Sequence, residues 1–99
     1  DFYVRVNGKV KKVKKWKVLE GVGPTGKAIT GKLLSKVLRG GASRLLIGRE
    51  GAVPVELTPK AKNFLRYLGT QLEFTSVDEA IAAYNDSQDR RAILVVRED

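Results

Sequence analysis

The stretch that decides the fold is 91-RAILVV-96, which lies close to the C-terminal end of the sequence. Its last five residues, Ala92 to Val96, are all apolar. A strand with one solvated face alternates apolar and polar residues, whereas a strand that is covered on both faces does not. The stretch therefore predicts a central strand of a sheet that carries a further layer on each side.

Short strands and helices alternate in the residues that precede this strand. We expect strands at 43–48 (SRLLIG) and 70–75 (TQLEFT), with a brief extended piece at PVEL, and helices near 30–39, 59–68 and 77–87. Alternation of this kind is typical of a mostly parallel sheet with right-handed crossovers.

The second and third helices have clear start and stop signals. Thr58 and Pro59 favour a helix start, and Gly69 favours its end. Ser76 and Glu79 have the spacing of a capping box, in which each residue caps the other's backbone. Tyr67 falls at a core or boundary position of its helix.

The N-terminal residues predict a lysine-rich hairpin. An alternating segment, 2-FYVRV-6, is followed by the turn signal 7-NGK-9 and by 10-VKKVKKWKV-18. With period two, Val10, Trp16 and Val18 share the core face with Phe2, Val4 and Val6. With period three, residues 10–18 would instead form a cationic helix, and the Asn-Gly turn favours the hairpin.

The predicted fold class is a single α/β domain over residues 1–99. It has three layers, a mixed and mostly parallel sheet of five or six strands, an N-terminal lysine-rich hairpin and three helices. The segment 20-EGVGPTGKAIT-30 contains three glycines and a proline and is predicted to be a loop.

Composition weakens several classes of function. The sequence has 19 Lys and Arg, 11 Asp and Glu, and a net charge of +8, but no His and no Cys. Without imidazole or thiol groups, Ser-His and Cys-His catalysis and the common transition-metal sites are excluded. No apolar run is long enough to span a bilayer. We therefore expect a cytoplasmic protein that is not an enzyme and uses no metal, cofactor or membrane.

The order and spacing of RLLIG, TPKAKNFLRYLG, QLEFT, SVDEAIAAYNDSQ and RAILVV resemble one family. This is the small α/β domain family that includes the adipogenesis-associated domain protein and a mitochondrial complex I assembly factor. The segment 1-DFYVRVNGKV-10 and the pair Trp16-Lys17 resemble its N-terminal half. The resemblance implies a three-layer fold without established enzymatic activity, and an accessory or assembly protein.

Two features depart from the family pattern. Its members usually begin with a further strand and a glycine turn before the position of Asp1, and this sequence does not contain them. The loop that is commonly Gly-Thr-Gly in the family is Gly48-Arg49-Glu50-Gly51 here. The resemblance therefore implies a binding role without specifying the ligand.

The lysine-rich strand is the first candidate site. Lys9, Lys11, Lys12, Lys14, Lys15 and Lys17 could neutralise phosphates, with Tyr3 and Trp16 as stacking surfaces. We expect Lys27 to join this patch, with Lys32 and Lys36 as further candidates. The alternative is a solvated strand whose lysines protect a sheet edge. The candidate partners are a protein, acidic in character, and a nucleic acid bound weakly and without sequence preference.

The loop Gly48, Arg49, Glu50 and Gly51 is the second candidate, because open α/β sheets bind ligands at the carboxyl ends of strands. In an alternative enzyme hypothesis, Arg49, Glu50 and Lys27 would serve a small hydrolase or lyase. A tight surface connection with a salt bridge would also account for the loop. The segment 21-GVGPTGK-27 has the spacing of a phosphate loop, but Ala28 replaces the hydroxyl residue that would hold magnesium.

Overall fold

The chain folds around a mixed five-stranded sheet in a computed structural model that describes residues 1–13, 16 and 27–97. The described residues form seven strands and three helices. The strands are β1 (Phe2–Val4), β2 (Val10–Lys12), β3 (Lys27–Ile29), β4 (Arg44–Arg49), β5 (Val55–Leu57), β6 (Gln71–Ser76) and β7 (Arg91–Val96). The helices are α1 (Gly31–Val37), α2 (Pro59–Leu68) and α3 (Val77–Asp86).

The large sheet has the strand order β2-β1-β7-β4-β6. Strand β1 is antiparallel to β2 and β7, whereas β4 is parallel to β7 and β6. The sheet is therefore parallel only from β7 to β6. Strand β7 lies at its centre and Ala92 to Val96 are all buried, which confirms the prediction of a strand that is covered on both faces.

Helices cover both faces of this sheet. On one face, Leu45, Ile47, Leu94 and Val96 pack in a cluster with residues of α1 and α2. On the other face, Leu46, Ile93 and Val95 pack against Ala80 of α3. Strands β3 and β5 form a separate parallel pair, and Ile29 joins the α1/α2 cluster. The predicted α/β domain with three helices and an N-terminal hairpin is confirmed.

The helices begin where the sequence predicts. The hydroxyl groups of Thr30, Thr58 and Ser76 each accept a hydrogen bond from the backbone N–H three residues later. Gly69 ends α2 in the left-handed conformation, with φ +69°. One half of the predicted capping box is formed, because the Ser76 hydroxyl group caps the Glu79 backbone N–H. The Glu79 carboxylate instead accepts from the Thr75 hydroxyl group at 2.6 Å. No helix in the described part of the chain is long and apolar enough to cross a bilayer.

Gly48 is required for the close packing of α3 on β4. A Cβ atom at this position would lie 2.9 Å from the Val77 Cα and 3.0 Å from the Ala80 Cβ. Real Cβ atoms do not come so close to a backbone atom, so any side chain would push the helix away. The first glycine of the predicted ligand loop is therefore a buried packing residue.

The structure corrects several local predictions. Residues 27–29 form strand β3 and not part of a loop. In the hairpin, Val10 is 62% exposed instead of facing the core. Phe2 and Val4 pack on the α3 side, whereas Val6 and Trp16 pack on the α1/α2 side. The described apolar residues of the hairpin therefore do not share one face, since β1 ends at Val4 and Val6 already lies in the turn.

Two tyrosines also differ from the prediction. Tyr3 is only 4% exposed and belongs to the core, so it cannot serve as a stacking surface. Tyr67 is 88% exposed and does not belong to the helix core. Residues 14, 15 and 18, on which part of the hairpin prediction rests, lie outside the described residues.

Candidate polyanion-binding groove

A groove of about 540 Å³ lies between the β1–β2 hairpin and helix α1. Its lining combines residues of the two strands with the start and one side of the helix. The lining residues are Tyr3, Arg5, Lys11, Lys12, Val13, Thr30, Lys32, Leu33 and Lys36. Five of these nine side chains are cationic and none is acidic. The groove therefore collects positive charge in a concave surface.

The hairpin positions Lys11 and Lys12. Gly8 adopts φ +85° in the turn, and the Asn7 side chain accepts a hydrogen bond from the Lys9 backbone at 3.0 Å. This turn sets a register in which Lys11 pairs with Tyr3 and Lys12 with Phe2. Both lysines are exposed, and no described strand lies on the outer side of β2.

Helix α1 supplies the opposite wall of the groove. Lys32 and Lys36 are four residues apart and hence lie on one side of the helix. Thr30 fixes the start of this helix by accepting from the Leu33 N–H at 3.1 Å. Lys11 pairs with Tyr3 on the α1/α2 side of the sheet and therefore faces the same space as Lys32 and Lys36. Lys12, which also lines the groove, pairs with Phe2 on the α3 side.

Arg5 forms the base of the groove and is only 7% exposed. Its Nε atom donates to the Lys36 carbonyl at 2.9 Å, and its guanidinium group lies 5.6 Å from the centre of the Tyr3 ring. No acidic side chain in the described ranges contacts this guanidinium group. Buried charges in proteins are usually paired with an opposite charge. Arg5 therefore adds a positive charge that no described carboxylate neutralises.

The other lysines of the predicted patch are not placed in the groove. Lys9 is exposed in the hairpin turn but does not line the groove. Lys14, Lys15 and Lys17 lie outside the described residues. Lys27 is buried, with 5% of its side chain exposed, and its Nζ atom lies 2.6 Å from the Asp1 carboxylate. Lys27 is thus shielded from any polyanion that approaches the groove.

Asp1 forms a buried polar junction beside the end of β7. Its carboxylate accepts from the Trp16 indole at 2.6 Å, from Lys27 at 2.6 Å and from the Arg97 backbone at 2.8 Å. The Asp1 carbonyl also accepts from the Val13 N–H at 3.0 Å. Trp16 is half-buried against the core, which agrees with a structural role and not with a stacking platform. This junction holds Val13 and Trp16, the described residues that follow β2.

The three helices differ in charge. Helix α1 carries Lys32 and Lys36, α2 carries Lys60, Lys62 and Arg66, and neither contains an acidic residue. Helix α3 carries Asp78, Glu79 and Asp86 and contains no Lys or Arg. Because α1 and α2 pack together on the opposite face of the sheet from α3, the domain has a basic side and an acidic side.

One exposed ion pair lies on the acidic side. The Arg44 guanidinium donates to both Glu73 carboxylate oxygens, at 3.2 and 2.9 Å. The hydrogen bond with Glu73, followed by the charges of Glu73 and Asp89, raises the pKa of Arg44 above its ordinary value. Most of the charge of Glu73 is therefore already balanced within the domain.

The predicted ligand loop lines a second hollow, of about 570 Å³. Its lining residues are Arg49, Gly51, Val55, Phe74, Thr75 and Ser76. The hollow lies at the carboxyl ends of the adjacent parallel strands β4 and β6, and the chain leaves these strands toward opposite faces of the sheet. This is the position at which open α/β sheets bind ligands.

The loop itself offers little binding chemistry. Gly48 is buried beneath α3, and the Glu50 backbone N–H donates to the Val96 carbonyl at 2.8 Å. Gly51 adopts φ +65°, as expected for a tight connection. Both side chains between the glycines, Arg49 and Glu50, are exposed. Only Arg49 and Gly51 of the four predicted residues line the hollow.

Sequence reasoning did not identify Arg5 and Thr30 as groove residues. The available signal was the position of Arg5 in an otherwise apolar alternating strand, where a buried cation needs a partner.

Comparison of the chain with protein-family models, with curated proteins and with solved structures gives no match.

Proposed function

We propose that this protein is a non-enzymatic binding protein whose basic groove binds the sugar-phosphate backbone of RNA or DNA. The observation that carries the proposal is the lining of the groove, in which the described residues include five cations and no acidic side chain. Phosphate attraction requires positive charge at suitable spacing and does not require contacts with base edges. Binding is therefore weak, dependent on salt and independent of sequence.

The shape of the groove favours a backbone segment over a free small molecule. Its described walls are an exposed strand edge and an exposed helix side, which suit an extended backbone segment. Lysine side chains are flexible point charges and adapt to a variable phosphate spacing. Arg5 donates a hydrogen bond to the Lys36 carbonyl and therefore provides one charge in a fixed position at the base of the groove.

Binding without catalysis agrees with the side chains that are available. The sequence contains no His and no Cys, and Lys27, one of the three residues of the enzyme hypothesis, is buried with Asp1. The resemblance to a family of accessory and assembly proteins supports the same conclusion. The absence of cysteine is compatible with the reducing cytoplasm, which we propose as its compartment.

The test is a salt titration with mixed-sequence single-stranded RNA and with duplex DNA. The variant K11Q/K12Q/K32Q/K36Q removes four exposed charges of the groove. For the unmodified protein, we expect a slope of log K against log salt of about −2 to −3 on single-stranded RNA, because each neutralised phosphate contributes roughly −0.7. The variant should lose at least half of this slope and bind at least about tenfold more weakly at low salt.

The matched control is K60Q/K62Q on α2, compared with the pair K11Q/K12Q. Both double variants remove two exposed lysines, but only Lys11 and Lys12 line the groove. The groove proposal predicts a clear loss for K11Q/K12Q and almost none for K60Q/K62Q. Equal losses would show that net charge alone drives the binding and would contradict the proposal. No binding even at low salt would also contradict it and would favour an acidic protein partner.

A further inference from the structure

The edge strand β6, at the opposite end of the sheet from the groove, carries an exposed apolar surface. Tyr67 is 88% exposed, Leu68 46%, Leu72 36% and Phe74 46%. Four large apolar side chains are thus exposed between positions 67 and 74, and exposed apolar patches on monomers are often functional. We define these four residues as the β6 patch.

The backbone of β6 also has unused hydrogen-bonding groups. The Gln71 N–H donates inward to the Ser43 carbonyl at 2.9 Å. In a strand, successive residues direct their backbone groups to opposite sides, so Leu72 and Phe74 direct theirs to the open edge. No described strand pairs with this side of β6.

The side chains of Leu72 and Phe74 lie on the same face of the sheet as α2. In the register of β4 and β6, Leu72 pairs with Leu45 and Phe74 with Ile47. Leu45 and Ile47 pack in the α1/α2 cluster, and paired residues share a face. Leu72 and Phe74 therefore form an apolar row on this face of the edge strand.

We propose that a second copy of this chain pairs with β6 in an antiparallel arrangement, with a two-fold axis that passes beside Phe74. In this register Phe74 opposes Phe74 of the second copy, and the two residues exchange both backbone hydrogen bonds. Glu73 opposes Thr75, so no like charges meet. The adjacent symmetric register, centred on Glu73, would oppose two carboxylates and is disfavoured for that reason.

The shapes of the two ends of β6 complement each other under this symmetry. Tyr67 protrudes beside the start of the strand, and the 570 Å³ hollow lies beside its end, next to Phe74 and Ser76. The two-fold axis brings Tyr67 of each copy to the hollow of the other copy.

The dimer leaves both basic grooves open, because β2 and β6 are the two opposite edges of the sheet. The proposal is therefore independent of the proposed function. In this proposal, Tyr67 of the second copy fills the hollow beside Arg49, and a small ligand does not.

The test is sedimentation equilibrium of the unmodified chain from micromolar to millimolar concentration, together with F74E and F74K. We expect a reversible dimer for the unmodified chain and a dissociation constant at least about tenfold higher for each variant, because two like charges would oppose each other. An equimolar mixture of F74E and F74K should again form a dimer, since unlike charges then meet. This recovery is specific to a register that is centred on Phe74.

A disulfide provides a second measurement of the register. The chain contains no Cys, and opposed residues of a hydrogen-bonded pair lie about 5.5 Å apart at Cα, within the range for a disulfide. F74C should form a covalent dimer under mild oxidation, whereas L72C, which opposes Ser76, should do so much more slowly. V10E on the other edge is the control that should leave the dimer unchanged. A monomeric unmodified chain at all concentrations, or a dimer that F74E leaves intact, would overturn the proposal.

Discussion

The two edge strands of the large sheet, β2 and β6, differ in the side chains that they expose. Strand β2 presents Lys11 and Lys12 beside a single exposed valine, whereas β6 presents Leu72 and Phe74 and balances its Glu73 with Arg44. Charged lysines at a sheet edge oppose pairing with another strand, and apolar side chains favour it. The comparison indicates that one edge is suited to an anionic ligand and the other to a protein surface.

The two edges are also anchored differently. The residues that follow β2 are held by the polar junction at Asp1, which joins Trp16, Lys27 and Arg97. The helix that follows β6 is held by apolar contact, with Val77 and Ala80 of α3 packed directly on Gly48 of β4. Substitutions at Asp1 and Gly48 therefore test the two modes of anchoring separately.

The largest effect is expected for D1A, which removes a buried carboxylate that accepts three hydrogen bonds. We expect a loss of about 3 kcal/mol in the free energy of unfolding, because buried donors to a charged group lose their acceptor. Urea unfolding measures the loss. W16F removes only the indole donor and should cost about 1 kcal/mol.

Hydrogen exchange locates the effect of D1A within the sheet. Protection should fall more in β1 and β2 than in β4 and β6, because Asp1 contacts Val13 and Trp16. An equal loss of protection across the sheet would show that the β2 edge is not anchored separately, and the comparison of the two edges would fail on this point.

The second effect is expected for G48A, in which the new methyl group would lie 2.9 Å from the Val77 backbone. We expect a loss of about 2 kcal/mol in unfolding free energy, since overpacking a close contact forces backbone shifts. The matched control is G31A in α1, where the nearest neighbour of the added carbon is 3.9 Å away. G31A should be neutral or stabilising, because alanine is the better helix former.

Equal effects of G48A and G31A on the free energy of unfolding would show that the close contact between α3 and β4 does not anchor the helix that follows β6. The position of α3 can be read independently from hydrogen exchange at Ala80 to Tyr84. G48A should accelerate exchange in this helix more than in α2, which lies on the other face.

The smallest effect on stability is expected for K11Q/K12Q, at about 0.5 kcal/mol or less, because both lysines are exposed. Self-association should change more than the free energy of unfolding does. In a background of F74E, which blocks the β6 edge, removal of the two lysines should produce association through β2 that light scattering detects. K60Q/K62Q in the same background should remain monomeric. Monomeric behaviour of both variants would show that the lysines do not protect the β2 edge.

Much of the fold could be predicted from local patterns. The continuous apolar run 92–96, the caps at Thr58 and Ser76 and the Asn-Gly turn each depend on residues that are close in sequence, and each is confirmed. Strand β3 was missed because its partner is β5, twenty-eight residues away, and its three residues carry no periodicity of their own.

The candidate sites were less predictable, since they depend on which exposed residues meet. The lysines of β2 were identified from the sequence, but the separation of Lys27 from the patch follows from its pairing with Asp1 across twenty-six positions. The role of Arg5 depends on its contact with the Lys36 carbonyl, thirty-one positions away. The positions of charged residues in the sequence do not show which of them lie close together in space.

The sequence by itself determined the class of the domain, the starts of its helices, the central strand and the basic character of its N-terminal half. These properties follow from propensity, capping and hydrophobic pattern, which act over a few residues. The tertiary structure alone decided that β2 and β6 are the two edges, that Tyr3 is buried while Tyr67 is exposed, and that Lys11, Lys12, Lys32 and Lys36 share one groove. The physical reason is that burial and the grouping of charges depend on contacts between segments that are distant in the chain.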